Sequence, residues 1–434
     1  MQRMAAADAA SYWMSERIPN DQFLVYCFAA PSISVGECAQ RLRAWAQRVD
    51  DLCLRVHDVP AAADRPYWVR AAPTRDQVRV DTATRTWSSL SEEVARLIGD
   101  PLVPSEAAWR LHLFGPVAEV PTSAPGEVGV VAVLQISHAL GDGRRAARIA
   151  RQLFTAPPAP RSGRTGSGMP DIVRDAVTVV AGAARFPIEF VHTLRRGIDA
   201  ARAAGQGNQP ERGYPLTRLN TDPGPRRTLR VLVLDRHVLT ASGHPVAVAV
   251  LAAISRALPE YLEGQAGRLG VELTVGRSGE SGARNNFRNV GIDLHVDVDD
   301  LDERARLIRA EIDAARAADA DPVRVARRRA TEATPAILAR WGVRTFDLAA
   351  RPETVTGVTV VSSVDRGAAD FDLDGGKVLF TTGFPALSPL QGLTHGVHGI
   401  GDRVAVSVTT SPDVMPDVDR YVELLGRAFA QGRE

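Results

Sequence analysis

The chain has 434 residues, 45% hydrophobic and 24% charged, with 52 basic side chains against 51 acidic ones. That is the composition of a globular protein with room for two or three domains. A formal charge of +1 gives no electrostatic reason to bind nucleic acid. Cys27, Cys38 and Cys53 cannot all pair and form no CxxC, so they read as reduced thiols of a cytosolic protein. The opening MQRMAAADAASYWM lacks the apolar core of a signal peptide, and no apolar run is long enough to suggest a spanning helix.

Residues 1–155 read as one α/β domain. Residues 7–15 form a short helix or turn, and 22–28 (QFLVYCF) a strand. Val35, Cys38, Leu42, Trp45 and Ala46 recur at helical spacing over 34–49, with Ser32 or Ser34 as cap. Strands follow at 67–71 and 77–80, then a helix over 89–97 opened by Ser89 or Ser91. WRLHLF at 109–114 alternates as a strand does. Residues 128–137 are a continuous apolar strand, 138–143 a tight loop, and the following residues to 154 a helix.

Residues 156–225 read as a linker. Its first part, 156–169, is rich in Pro, Gly and Ser and is expected to be flexible. Residues 171–205 are amphipathic: Ile172, Val173 and Val180 share one face, Pro187 restarts the helix, and Val191, Leu194 and Ile198 oppose Arg195, Arg196 and Arg202. Two readings fit, a helix lying on a membrane surface or one docking its apolar face on the body of the protein. Residues 226–434 read as a second α/β domain. Its expected strands are 228–235, 273–275, 289–298, 355–362, 377–382 and 403–409. Its expected helices are 246–262, 301–318, 322–341 and 416–430.

The chemistry-bearing stretch is His138-Ala-Leu-Gly-Asp142-Gly143, an HxxxDG pattern at the end of the 128–137 strand. A histidine there is suited to proton transfer, since either protonation state is accessible near neutrality. Gly141 and Gly143 permit the turn and Asp142 can brace it. On the residues alone, a strand–turn–helix with a satisfied loop histidine fits as well. Ser137 is a poor nucleophile for its neighbour, because successive strand side chains face opposite ways. No G-x-S-x-G, Walker A or dinucleotide fingerprint is present. His395 and His398 lack a third ligand cluster, so no metal is expected. Asp297, Asp299, Asp300 and Asp302 read as the acidic start of a helix, not a calcium loop.

Taken together these segments resemble the bacterial wax ester synthase/diacylglycerol acyltransferase (WS/DGAT) family, within the chloramphenicol-acetyltransferase-like folds that include condensation domains. The resemblance covers essentially the whole chain. It is carried by ADAASYWM, by Asp100-Pro-Leu with Trp109, by Ser137-His138-Ala-Leu-Gly-Asp142-Gly143, by Thr274-Val-Gly-Arg277, by Ser362-Ser363-Val364 and by the closing SPDVMPDVDRYVELLGRAF. The first histidine of the family's HHxxxDG is Ser137 here. Asp365-Arg366-Gly367 replaces a proline-glycine, and Ala247-Val248 replaces an Asn-Asp pair.

The resemblance implies an α/β (α+β) protein of two chloramphenicol-acetyltransferase-like domains, each a mixed sheet with flanking helices, facing one another across a tunnel. His138 would be the general base of an O-acyltransferase. It would take acyl-CoA or a carrier-protein thioester as co-substrate and an alcohol as acceptor, with no bound cofactor. Asp142 would face away and pair with Arg277, while Trp109 and Ser362 would line the tunnel or simply pack. The departures admit two alternatives, amide formation as in condensation domains and a degenerate lipid-binding or scaffold protein. Expected localisation is cytoplasmic, with peripheral membrane contact through 171–205.

Overall fold

The computed structural model describes residues 1–155, 170–204, 213–264, 267–277 and 282–431, so the expected flexible stretch 156–169 lies outside the described residues. The first half contributes strands β1 (Gln22–Ala29), β2 (Val78–Asp81), β3 (Trp109–Ala118) and β4 (Val128–Ile136). Its helices are α1 (Ala6–Ser15), α2 (Val35–Ala46), α3 (Trp87–Ile98) and α4 (Gly143–Phe154). A long helix, α5 (Asp171–Ala204), follows. The second half begins with β5 (Thr228–Asp235), α6 (Val246–Tyr261), β6 (Gly270–Gly276) and β7 (Phe287–Asp293). Next come α7 (Leu301–Ala317), α8 (Pro322–Ala333) and α9 (Ala336–Thr345). It ends with β8 (Thr359–Asp365), β9 (Gly376–Phe384), β10 (Leu393–Ile400), β11 (Arg403–Thr410) and α10 (Val418–Gln431).

Two mixed sheets result, as expected. The second runs β5–β11–β10–β8–β6–β7, with β8 parallel to both β10 and β6. The first runs β9–β1–β4–β3–β2, with Asp372–Leu373 beyond β9 and Arg85–Thr86 beside β3. The strand expected at 377–382 belongs by sequence position to the second domain. It instead leaves its own half and pairs antiparallel with β1, Thr382 opposite Val25. Two glycines make the crossing possible. A Cβ on Gly383 would stand 2.7 Å from the Phe23 carbonyl, and one on Gly396 2.6 Å from the Gly383 carbonyl.

Burial on both faces explains the unbroken apolar runs of β1 and β4. Leu24, Tyr26 and Phe28 join the core beneath the first sheet, with Val130, Ala132, Leu134 and Ile136. Their alternates Phe23, Val25, Cys27, Val131 and Val133 pack against Leu229, Phe380, Phe384 and Ala405 of the second half. The period-2 alternation therefore splits each strand between a domain core and the contact between domains.

α5 overturns the reading in which its apolar face docks on the protein. Its polar stripe does so instead. Arg174 and Thr178 are buried, and Gly182 rides against the Ala63 carbonyl. Arg185 reaches Asp64 at 2.6 Å, Arg3 reaches Glu189 at 2.7 Å, and Thr193 donates to the Ala333 carbonyl at 2.9 Å. The apolar side is left outward, with Ile172 83% and Val180 68% exposed. The helix expected over 322–341 is broken at Thr334, which is extended because Pro335 follows.

Candidate active site

β4 stops at Ile136, and Ser137 turns the chain into a single 3₁₀ turn, His138–Leu140. Ser137 is fully buried, its Oγ accepting from the Ala139 amide at 3.3 Å. That places it as a cap and not as a nucleophile. Asp142 caps α4, Oδ1 accepting from the Arg145 amide at 2.9 Å, while Oδ2 accepts from the Asn286 amide at 3.1 Å. The Asp142 amide donates to the Arg284 carbonyl at 3.2 Å. From β1, Gln22 Nε2 donates to the Gly141 carbonyl at 2.5 Å. The expected pairing of Asp142 with Arg277 is thus corrected. The Asn286 main-chain amide takes the second carboxylate oxygen, and Arg277 donates its own amide to the Asn286 carbonyl at 2.9 Å.

His138 Nδ1 lies 2.9 Å from Asn285 Oδ1. The Asn285 Nδ2 donates to the His138 carbonyl at 2.8 Å and to Asp8 Oδ1 at 3.0 Å. A main-chain carbonyl can only accept, so the amide orientation is determined and Oδ1 must face the ring. Nδ1 therefore carries the hydrogen, and Nε2 keeps its lone pair. Burial holds the His138 pKa below its ordinary 6.5, against the opposing pull of the hydrogen bonds to its own carbonyl and to Asn285. The resting imidazole is neutral. Asp8 in turn accepts from the amides of Arg284 and Asn285, both at 2.9 Å, so α1, α4 and the 284–286 loop are tied at one point.

His138 lines a cavity of about 420 Å³ shared by both halves. Gln22, Phe23 and Gly143 line it from the first half, and Thr274, Phe287 and Ser362 from the second. The Phe287 ring lies 5.4 Å from that of His138, centroid to centroid. Gly143 is required by proximity, because a Cβ there would meet Val364 Cγ2 at 2.9 Å. The same cavity reaches Arg366, Gly383 and His398.

The remaining sequence candidates separate cleanly. Ser362 lines the cavity, whereas Trp109 is fully buried in the first core, its Nε1 donating to the Leu52 carbonyl at 2.9 Å. Ala247 lines the cavity and Val248 packs in the second core. His395 is spent inside the second half, 3.1 Å from Thr359 Oγ1 and 2.8 Å from Tyr421 Oη. His398, three residues on, faces the cavity. Asp300 caps α7 through the Glu303 amide at 2.7 Å, the role read for that acidic run. Among the described residues no group of three or more His, Cys, Asp and Glu side chains is arranged to hold a metal. Sequence reasoning missed Asn285, Asp8 and Arg366. The available signals are Asp8 inside ADAASYWM and Arg366 in the departure from the proline-glycine, neither of which carries a role in the sequence alone.

Residues 284–431 match the family model described as the WS/DGAT C-terminal domain. In this region the chain is similar to that family. Its fold is similar to that of the wax ester synthase/diacylglycerol acyltransferase from Marinobacter aquaeolei VT8, with TM-score 0.66 and 16% identity over 99% of this chain and 98% of that one. A mutant starter condensation domain of rhizomide synthetase, in complex with C8-CoA and Leu-SNAC, superposes with TM-score 0.56 at 13% identity, over 99% of this chain and 94% of that one. The first condensation domain of the CDA synthetase gives 0.55 at 16%, over 99% and 96%. A search of curated proteins gives no match. The fold is thus shared over 99% of this chain, at 13–16% identity.

Proposed function

We propose that this chain is an acyltransferase that moves an acyl group from a thioester, acyl-CoA or a carrier-bound acyl group, to a hydroxyl acceptor. The observation that carries the reading is the Asn285 lock, which leaves Nε2 of a neutral His138 as the free proton acceptor of an imidazole lining the interdomain cavity. The acceptor O–H gives its proton to Nε2 as its oxygen attacks the thioester carbonyl. The tetrahedral intermediate then expels the thiolate, which takes the proton back from the imidazolium. No covalent acyl-enzyme is invoked: Ser137 Oγ is buried in a cap, none of the cysteines lines the cavity, and the lining Ser362 makes no hydrogen bond to His138 among the described residues. Positioning of two substrates in one cavity and proton removal supply the rate, on the order of 10²–10⁴-fold for the base. Exposed Arg144 and Arg316 on the lining suit a phosphate-bearing donor. The structural neighbours support this direction: one is a wax ester synthase/diacylglycerol acyltransferase, and another was solved with C8-CoA.

The test is thiol release from a panel of acyl-CoAs with alcohols and amines, on the wild type and His138→Ala. Acceptor-dependent release lost in the variant supports the reading. Turnover with amines alone would move it to amide formation. Thioester binding without any release would overturn it in favour of a binding protein.

The same reading places the protein at a lipid surface through α5. The outward apolar residues form two groups, Val173, Val177 and Val180, then Val191, Leu194 and Ile198, each spaced by three or four and the groups eleven apart, with Arg195 and Arg202 beside the second. No helix among the described residues is long and apolar enough to cross a membrane. Flotation with anionic vesicles should be lost in Val180→Glu/Leu194→Glu. Unchanged flotation, or no flotation of the wild type, would refute docking.

A further inference from the structure

Beyond the catalytic loop the cavity ends in an arrangement that the transfer step does not use. Arg366, only 7% exposed, lines it. Its Nη1 donates to Thr381 Oγ1, and its guanidinium lies 5.1 Å from the Tyr26 ring centre. Its Nε is buried and has no hydrogen-bond partner among the described residues. Beside it, His398 also lines the cavity, and its buried Nδ1 has no partner among the described residues. Burial and the neighbouring guanidinium hold His398 well below the ordinary histidine pKa, so it is neutral. Gly383 opens the space between the two. A Cβ there would stand 2.9 Å from Arg366 Nη2 and 3.1 Å from His398 Cε1.

No carboxylate among the described residues forms an ion pair with this cation. The nearby Asp365 pairs with Arg236 at 3.1 Å, and the acids that share the cavity are committed elsewhere. Asp142 holds the 145 and 286 amides, Asp21 holds the Leu102 amide at 2.7 Å, and Glu272 accepts from Asn289. The contrast with Arg304 is instructive. It too is buried without an acid, yet its guanidinium is spent on the carbonyls of Ser255 and Val298. A buried guanidinium facing open volume without a counterion is costly unless a ligand supplies one. Arg366 also sits where the sequence departs from the proline-glycine of the family it resembles, so the feature belongs to this chain.

We propose that Arg366, with His398 at its side, forms a carboxylate-binding subsite, so that the substrate chain occupying this end of the cavity carries a free acid far from its reacting end. The proposal rests on the acyl-transfer reading for which end reacts, but not for the binding itself. Gln22, tied to the catalytic loop, and Tyr26, against Arg366, are four residues apart on β1, roughly 13 Å at strand rise. A chain of medium length therefore suits the span. The acid can belong to the donor, as a dicarboxylic acyl thioester, or to the acceptor, as an ω-hydroxy acid.

Calorimetry on the whole protein separates these sources. One arm compares suberyl-CoA with octanoyl-CoA, the other 8-hydroxyoctanoate with 1-octanol. In one of the two arms the acid-bearing ligand should bind about ten- to a hundredfold more tightly, the range for a hydrogen bond to a charged group. That comparison needs no variant, and equal binding in both arms overturns the proposal. Arg366→Met should abolish the preference and Arg366→Lys should retain part of it, with melting curves confirming that both fold. A preference that survives in folded Arg366→Met overturns the assignment. If the preference is present and lost in Arg366→Met while no thiol is released, the subsite stands and the transferase reading fails.

Discussion

Removing the Asn285 side chain tests whether His138 is held as a poised base. Asn285→Ala deletes the acceptor for Nδ1–H and two donated bonds, to Asp8 and to the His138 carbonyl. Three bonds at about 0.5–1.5 kcal/mol each put the stability loss at about 2–4 kcal/mol. The kinetic effect has a different origin. The Asn285 oxygen stabilises the imidazolium more than the neutral ring, since bonds to charged groups are worth about 1.5–3 kcal/mol against about 0.5–1.5 kcal/mol. Losing about 1.4 kcal/mol of that preference lowers the His138 pKa by about one unit. The base must be neutral to act, so activity falls as pH drops through its pKa. In the wild type that acid limb should lie below 6.5, because burial already depresses the group, and in the variant about one unit lower still. Freed to rotate and to exchange tautomers, the ring should also lose roughly 10–100-fold in kcat, as when an orienting partner is removed from a metal-binding histidine. Initial rates of thiol release from pH 4 to 9 provide the readout. A limb that stays in place with kcat unchanged would refute the claim that Asn285 sets the tautomer.

Two other perturbations follow from the same geometry. Gly143→Ala gains helix propensity but pushes a Cβ to 2.9 Å from Val364 Cγ2. A net loss of about 1–2 kcal/mol and a melting point lower by a few degrees are expected. Val364→Ala in that background should restore it, and no recovery would show that the contact is not the cause. His395, pushed down to about 3 by burial, binds no proton in the folded state while the unfolded chain takes one below 6.5. His395 should therefore contribute about 1.4 kcal/mol per unit to the loss of stability between pH 6.5 and its folded value, beside the like contribution of the buried His398. His395→Gln should lower the measured slope by that amount in denaturant titrations, and an unchanged slope would assign the acid sensitivity to other groups.

The strand–turn–helix around His138 was legible because a strand buried on both faces leaves an unbroken apolar run, and a sharp turn after it leaves glycines. Asn285 was not legible. It lies 147 residues from its partner in RNNF, a polar stretch without periodicity, and only the tertiary fold brings it to the ring. The amphipathic character of α5 was visible, but amphipathicity identifies two faces without saying which meets the protein. The answer turned on Asp64, Arg3 and the Ala333 carbonyl, which are distant in sequence and offer partners only to polar side chains. The crossover of β9 was hidden for a similar reason. VLFTTGF is a good strand in either sheet, and its own pattern says nothing about which neighbour it will choose.

That exchanged strand governs how the molecule can move. With β9 stitched along β1 by hydrogen bonds from Val378 to Phe384, the halves are not hinged plates, and swinging them apart would mean tearing a ladder from a sheet. A chain severed between β8 and β9 should yield no autonomous first half, since β1 would be left with a bare hydrophobic edge.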